Sequence, residues 1–363
     1  MKKEYDVVIV GAGLTGAIWA WKLSREGAKV LVLEKTDRPG GLCWSEKIEG
    51  IEVHKYGCHI FHTDRKEIWD TVNQVAQFDP FCLQIKAKTE GRVWSLPFGL
   101  SLFQELWGLT DPREVMEKLE SQRFKGEPSN LEEKALSMVG QDIFQKFVKG
   151  YTEKQWGKPC AELPESIISR LPIRYTWDTS YFNDRFVGIP TLGWTDFIKK
   201  LLSGAEVRYM EECTKNTVQP YLSAGTAVIW TPGIDEYHEF CFGPLEYRHV
   251  FHVHDILEIP NFQGCPVMNY PDPHIPWTRI VEHKWFSRRS GETEKTIITK
   301  EYSGDRLGQK AYPIPTQTNL RLYNQYRNIP IPEGLHFIGR LAEYRYLDMN
   351  QIIEECYDTE ILW

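Results

Sequence analysis

Gly11-Ala12-Gly13-Leu14-Thr15-Gly16, with Glu34 eighteen residues beyond the last glycine, has the spacing that binds a dinucleotide. The first glycine makes a tight turn, the second lets backbone approach a pyrophosphate, and the third lets helix pack on strand. The helix N-terminus then meets phosphate charge, and the acid can take ribose hydroxyls. A second group, His54-Lys55-Tyr56-Gly57-Cys58-His59-Ile60-Phe61-His62-Thr63, sets two histidines three apart but offers no third metal ligand at a useful spacing. His62, with Thr63 and Asp64, reads as support for a helix cap, which leaves His59 beside Gly57 as the functional candidate. His249, His252 and His254 also suggest metal. On a strand the last two share a face that His249 does not, so a solvated strand is the expectation. A third group runs from Gly150 to Gly157 (GYTEKQWG) and continues through Arg170, Tyr181 and Phe182. Tyr151 and Trp156 can stack on a base or sugar face, and Arg can fork onto phosphate oxygens. Taken singly, each of these is more often packing or surface charge.

The elements that would carry these residues follow from periodicity. Residues 6–10 (DVVIV) read as a buried parallel strand, 17–24 as a helix, and 29–33 as a second strand ending at Glu34. Both strands and the acid together make the glycine pattern a complete dinucleotide-binding context. Helices are signalled between about 64 and 170. Asp111-Pro112 with Glu114 is one start; Ser129 with Glu132 is another, and Gly140 stops that helix. Ile143, Phe144, Phe147, Val148 and Tyr151 continue at helical spacing. After Gly188 a helix is predicted at 195–202, a buried strand at 227–230, and antiparallel strands at 246–254, 266–270, 277–284 and 295–302. A strand to Gly339 and a helix from Asp348 would return the chain to the first domain. The fold class is therefore α/β: a Rossmann-like dinucleotide domain (1–78, 193–240 and 330–363), a helical insert with a mobile substrate loop (96–186), and an antiparallel β-sheet domain (79–95, 187–192 and 241–329).

Composition bounds the function. With 27 Gly and 21 Pro in 363 residues the chain is neither collagen-like nor low-complexity, and 17 Phe, 17 Tyr and 13 Trp exclude extensive disorder. A net charge of −7 argues against a general nucleic-acid binder but permits a local basic site for one anion. No apolar run reaches the roughly 20 residues of a membrane span. Asp6 and the glycines that follow fit a buried strand and turn far better than a signal peptide at the start. Eight cysteines without a CxxC pair point to reduced thiols in a cytoplasmic protein.

Two resemblances sharpen this reading. Glu34 followed by Arg38-Pro39-Gly40-Gly41, with Ser45 soon after, resembles the flavoproteins that include the amine oxidases. In these the Arg and the glycines approach FAD, and the chain has no second GxGxxG for a nicotinamide domain. HKYGCHIFHT, NLEEKALSMVG, GYTEKQWG, SRLPIRY, NFQG, WTRIVEHK, TKEY, AYPIP and GRLAEYRYLDM, in that order from about residue 4 to 355, resemble the bacterial UDP-galactopyranose mutases. The resemblance implies interconversion of UDP-galactopyranose and UDP-galactofuranose with no net redox change. Reduced FAD would act as nucleophile through a flavin N5–sugar iminium. It implies phosphate contacts from Arg170 and Arg279 and hydroxyl bonds from Tyr181, Tyr312 and Tyr346. Phe147 and Tyr151 would contact uracil, and Trp156 would pack near the sugar. His59, Arg340, Asp348 and Met349 would lie near the flavin, Arg170 would sit on a closing connection, and the protein would be a homodimer.

The chain departs from that pattern at Leu42-Cys43-Trp44, at Cys58, at Leu347, and around residues 79–85, where an expected Asn and Asn-Ser-Pro are missing. Other substrates therefore stay open: UDP-arabinopyranose, a deoxy-sugar nucleotide or UDP-N-acetylgalactosamine. An amine-oxidase-like flavoenzyme gives no reason for paired arginines, and a non-catalytic nucleotide-sugar binder is the remaining alternative.

Overall fold

The computed structural model describes residues 3–168, 173–287, 293–304 and 308–363. Within them a parallel sheet runs in the order Glu206–Tyr209, Val30–Glu34, Val7–Val10, Ala227–Trp230, Leu335–Phe337. The three central strands are buried along their whole length because helices cover both faces. Val7, Ile9, Val30 and Val32 pack on one side against Trp19 and Leu23 of the helix Leu14–Arg25 and Phe197 and Ile198 of the helix Trp194–Leu201. Val8, Val10, Leu31 and Leu33 pack on the other against Val218, Leu222 and Tyr237. The strand at 227–230 and the returning strand and helix near the C-terminus (Leu335–Phe337, Met349–Asp358) lie where periodicity placed them.

The second layer is a sheet ordered Gln309–Pro313, Tyr247–Leu257, Thr296–Gly304, Arg279–Glu282, Val267–Asn269, Ile85–Thr89, Arg92–Ser95. It is mixed rather than wholly antiparallel. Val267–Asn269 pairs in parallel with Ile85–Ala87, because the 85–95 hairpin joins from a distant part of the chain. Residues 187–192, expected in this sheet, instead lie in or beside a separate three-stranded sheet, where Phe186–Pro190 pairs with Phe61–Thr63 and Phe78–Pro80. Gly188 allows it: a Cβ there would lie 2.7 Å from the Trp69 ring and 2.9 Å from the Asp79 carbonyl oxygen.

The helical insert comprises Leu100–Trp107, Pro112–Gln122, Leu131–Ile143, a π-helical turn at Phe144–Lys149, and Gly150–Trp156. Gly140, at φ 72° and ψ 176°, breaks the third helix without ending it. One cap expectation shifts. Asn130, not Ser129, caps that helix, accepting from the Glu133 N–H at 3.0 Å while Glu133 accepts from the Ser129 N–H at 2.8 Å. Asp111 caps the helix Pro112–Gln122 as expected, its side chain accepting from the Arg113 N–H at 2.8 Å.

Candidate functional site

The dinucleotide end is built from backbone. Gly11 has φ +101°, and a Cβ on Gly16 would lie 1.9 Å from the Gly11 carbonyl oxygen, so helix and strand touch only because residue 16 is glycine. A Cβ on Gly41 would lie 3.2 Å from Gly13 Cα, and the Gly40 N–H donates to the Ala12 carbonyl at 2.9 Å. The turn at 40–41 thus lies directly on the glycine loop. The helix Leu14–Arg25 begins at Gly13, with no side chain over its first N–H groups. That open N-terminus suits a pyrophosphate. Glu34 is buried; one oxygen accepts from the Ala12 N–H at 2.8 Å, the other from the Thr36 N–H at 2.9 Å and its hydroxyl at 2.8 Å. The oxygen facing Ala12, with one bond made, keeps a lone pair for a ribose hydroxyl. Arg38 stacks 3.8 Å over Trp44 and pairs with Asp37, so this indole holds the arginine beside the 40–44 turn. Asp348 caps the helix Met349–Asp358, and Met349 Sδ is 3.9 Å from Cys43 Sγ, which brings that helix start to the same turn. These residues fit a dinucleotide such as FAD.

The other end is built from side chains. A cavity of about 640 Å³ is lined by Phe147, Tyr151, Trp156, Tyr181, Tyr312 and Tyr346, together with Asp348. Every aromatic residue expected at the substrate is therefore on one surface, drawn from the helical insert, the large sheet and the returning chain. Burial raises the Tyr151, Tyr312 and Tyr346 hydroxyls, and the nearby Arg279 and Arg340 cations only partly oppose it, keeping them protonated donors. Tyr312 and Tyr346 stack at 5.7 Å, with the Arg340 guanidinium 4.9 Å from the Tyr346 ring. Arg340 donates to the Ala311 carbonyl at 3.1 Å and twice to that of Leu347, once at 3.1 Å.

Arg279 projects from its strand toward the register partner Glu301, Nη2 to Oε2 at 2.8 Å, and His252 Nε2 lies 3.4 Å from the same oxygen. Burial works to raise Glu301, but Arg279 and His252 outweigh it and hold the carboxyl at about 2. Burial opposes the charge on Arg279 too, and the Glu301 carboxylate, with Cys58, Tyr151 and Tyr312 adding to it, more than offsets that burial, leaving the guanidinium raised. The Arg279 Nε is buried without a protein partner. Gly57 borders this cluster at φ +95°, a backbone conformation that favours glycine. Arg170 lies outside the described residues.

His59 faces the same region from the segment following Gly57. Its Nδ1 is 2.8 Å from the Gly57 carbonyl oxygen, which can only accept; Nδ1 therefore carries the proton and Nε2 presents a lone pair. Burial and then the Arg340 cation push it down to about 4, so the ring is neutral near pH 7. Its backbone is fixed by His54 Nδ1 at 3.1 Å and by the Trp194 indole N–H at 2.9 Å.

Two histidine expectations fail. His62 stacks on Phe182 at 4.0 Å and lies 3.1 Å from Asp184, while the cap at Arg65 is met by Thr63 Oγ1 at 3.1 Å. His252 and His254 are not on a solvated face: one meets Glu301, and the other meets Thr299 Oγ1 at 2.7 Å. Among the described residues no group of three His, Cys, Asp or Glu is arranged to hold a metal, and no helix is long and apolar enough to cross a membrane. Glu301 and the cavity-lining Asn269 and Gln155 were not singled out as site residues in the sequence, and His252 was read only as part of a solvated strand. Period-two pairing of the TKEY segment with WTRIVEHK was the signal available for Glu301.

The UDP-galactopyranose mutase profile matches residues 146–346, and an NAD(P)-binding Rossmann-like profile matches residues 9–75. The chain is 34% identical over 98% of its length to a dTDP-fucopyranose mutase of Escherichia coli, covering 98% of that protein. It is also 34% identical, over 98% of its length, to a probable UDP-galactopyranose mutase of Klebsiella pneumoniae, covering 93% of that protein. A crystal structure of reduced UDP-galactopyranose mutase superposes with a TM-score of 0.77 at 16% identity, covering 97% of this chain and 92% of the other.

Proposed function

The chain belongs to the flavin-dependent UDP-galactopyranose mutase family of nucleotide-sugar pyranose/furanose mutases, and from that premise we propose that it interconverts UDP-galactopyranose and UDP-galactofuranose on reduced FAD. The observation that carries this reading is the single aromatic surface of the cavity, whose Tyr151 and Tyr312 feel the Arg279 charge, reaching Asp348 at the start of the helix beside the glycine turn. Reduced FAD, when bound, supplies the nucleophile for the anomeric carbon. The protein's own residues do the rest. Phe147 and Tyr151 hold the base, and Trp156 packs near the sugar. Arg279, kept charged by Glu301, takes diphosphate oxygens as the leaving nucleotide gains charge, and Tyr181, Tyr312 and Tyr346 add neutral hydroxyl donors. Arg170 is proposed as the second phosphate arginine. Gly11, Gly13, Gly16, Gly40 and Gly41 would cradle the cofactor, Glu34 would take its ribose, and Arg38, Arg340, Asp348 and Met349 would frame the rest. His59, neutral with Nε2 unprotonated, would accept a hydrogen bond at the flavin edge.

A second reading takes a deoxyhexose on deoxythymidine diphosphate. It is favoured by a relative of equal identity that bears that activity in its name. The test is incubation of dithionite-reduced protein with UDP-galactopyranose, UDP-galactofuranose and dTDP-fucopyranose, with products resolved by chromatography. Conversion of the UDP sugars only after reduction supports the first reading, and conversion of dTDP-fucopyranose alone replaces it with the second. Turnover without reduction would defeat both.

A further inference from the structure

We propose that Lys154 is a positioning residue that locks the loop delivering Arg279 onto the helix delivering Tyr151 and Trp156; the inference rests on the nucleotide-sugar reading above. The loop, residues 270–278, joins the strand Val267–Asn269 to the strand Arg279–Glu282. Its two ends are register partners, Asn269 opposite Arg279, so any displacement of the loop is passed directly to the guanidinium. Into this loop Lys154 inserts its ammonium. Nζ donates to the carbonyl oxygens of Asp272 at 3.0 Å, Ile275 at 3.1 Å and Trp277 at 3.1 Å, and also to that of Tyr270. Three ammonium protons shared among four carbonyls make a cage that only a compact cation satisfies, and a planar guanidinium does not match it.

Gly150 is the second half of the contact. One helical turn before Lys154 and on the same face, it lies so close to the loop that a Cβ would be 2.2 Å from the Pro271 carbonyl oxygen. Helix and loop therefore meet backbone to backbone at one point and through the caged ammonium at the next. The far end of the helix is held independently. Arg248 donates to the Gln155 carbonyl at 2.8 Å and to that of Lys154 at 3.2 Å, and Arg248 is the strand partner of Tyr312. With the helix fixed at that end, loss of Lys154 frees the loop, not the helix. Base contacts from Tyr151 should survive while the phosphate contact from Arg279 loses its register.

The test compares diphosphate with nucleoside. On the flavin-loaded protein, dissociation constants are measured by calorimetry for UDP and uridine, and in parallel for dTDP and thymidine. Wild type, Lys154→Met and Gly150→Ala are compared, the last disturbing the same contact should Lys154→Met fail to fold. The gain in affinity of diphosphate over nucleoside should fall about tenfold or more in the variants, the scale of an ångström-level misplacement, with nucleoside affinity and flavin content held. A purely structural lysine would weaken nucleoside and diphosphate alike or change neither, and either result overturns the proposal. Absence of any diphosphate gain in wild type would instead remove the nucleotide-sugar reading itself, and this inference with it.

Discussion

At the dinucleotide end, Gly11, Gly13 and Gly16 bring bare backbone against its neighbours, while at the substrate end Tyr151, Trp156, Tyr312 and Tyr346 arrive from separate parts of the chain as side chains. The first arrangement is steric: Gly11 and Gly16 leave no room for an added atom, and its parts lie within a few residues of one another. The second is electrostatic. It depends on a part-buried guanidinium held in place by Glu301, and its parts can be loosened one at a time. A site made of backbone should therefore fail outright when altered, whereas a site made of side chains should fail by degrees.

The sharpest way to break that contrast is Gly16→Val. A Cβ would already lie 1.9 Å from the Gly11 carbonyl oxygen, so the variant should purify without flavin, as read from its visible absorbance; full flavin content would refute the steric account. Next in size is Arg279→Ala, which should keep its flavin yet lose at least about a hundredfold in turnover. Leaving Glu301 buried without its partner carries a cost of about 2–5 kcal/mol. Near-normal turnover would sink the phosphate assignment.

A third prediction concerns the seam between the two ends. Burial first lowers His54 to about 3, His59 to about 4 and His254 to about 4, against an ordinary value near 6.5. Between those values the unfolded chain binds more protons than the folded one, so stability should fall as pH drops from 6.5 toward 4. Each group can contribute up to about 1.4 kcal/mol per pH unit in that window. Tm measured across it should decline steadily; a flat profile would mean that these rings hold protons in the fold. The smallest effect is expected for Trp44→Ala. Removing the indole under Arg38 should weaken flavin binding only a few-fold, within the 0.5–1 kcal/mol or so of an exposed cation–π contact. A large loss would show that the dinucleotide end also leans on side chains.

The same contrast explains how far the sequence could be read. Gly11, Gly13, Gly16 and the strands Val7–Val10 and Ala227–Trp230 are local patterns whose buried runs and spacings carry their own meaning. The set of Phe147, Tyr151, Trp156, Tyr181, Tyr312 and Tyr346 was accessible only through family resemblance, since no spacing joins residues so far apart. Glu301 stayed hidden because its role exists only across a strand register with Arg279. His252 was misjudged because alternation identifies two faces without saying which one is covered. The sheet of Phe61–Thr63, Phe78–Pro80 and Phe186–Pro190 went unseen for a related reason: its pairings span more than a hundred residues. Even the one-residue shift from Ser129 to Asn130 has a cause. Both side chains can cap, and the extended backbone at Asn130 chose between them.

Arg340 bonds both to Ala311 of the large sheet and to Leu347 on the way to the cofactor helix. A single cation thus stitches the two layers together at the mouth of the cleft. A rigid swing of one layer away from the other would have to break the bond to Ala311, a charge-assisted contact worth about 1.5–3 kcal/mol. That bond favours the present width of the cleft. On the proposed reading it would help set the spacing between cofactor and sugar, and entry of a bulky nucleotide would draw on adjustments at the cavity rim.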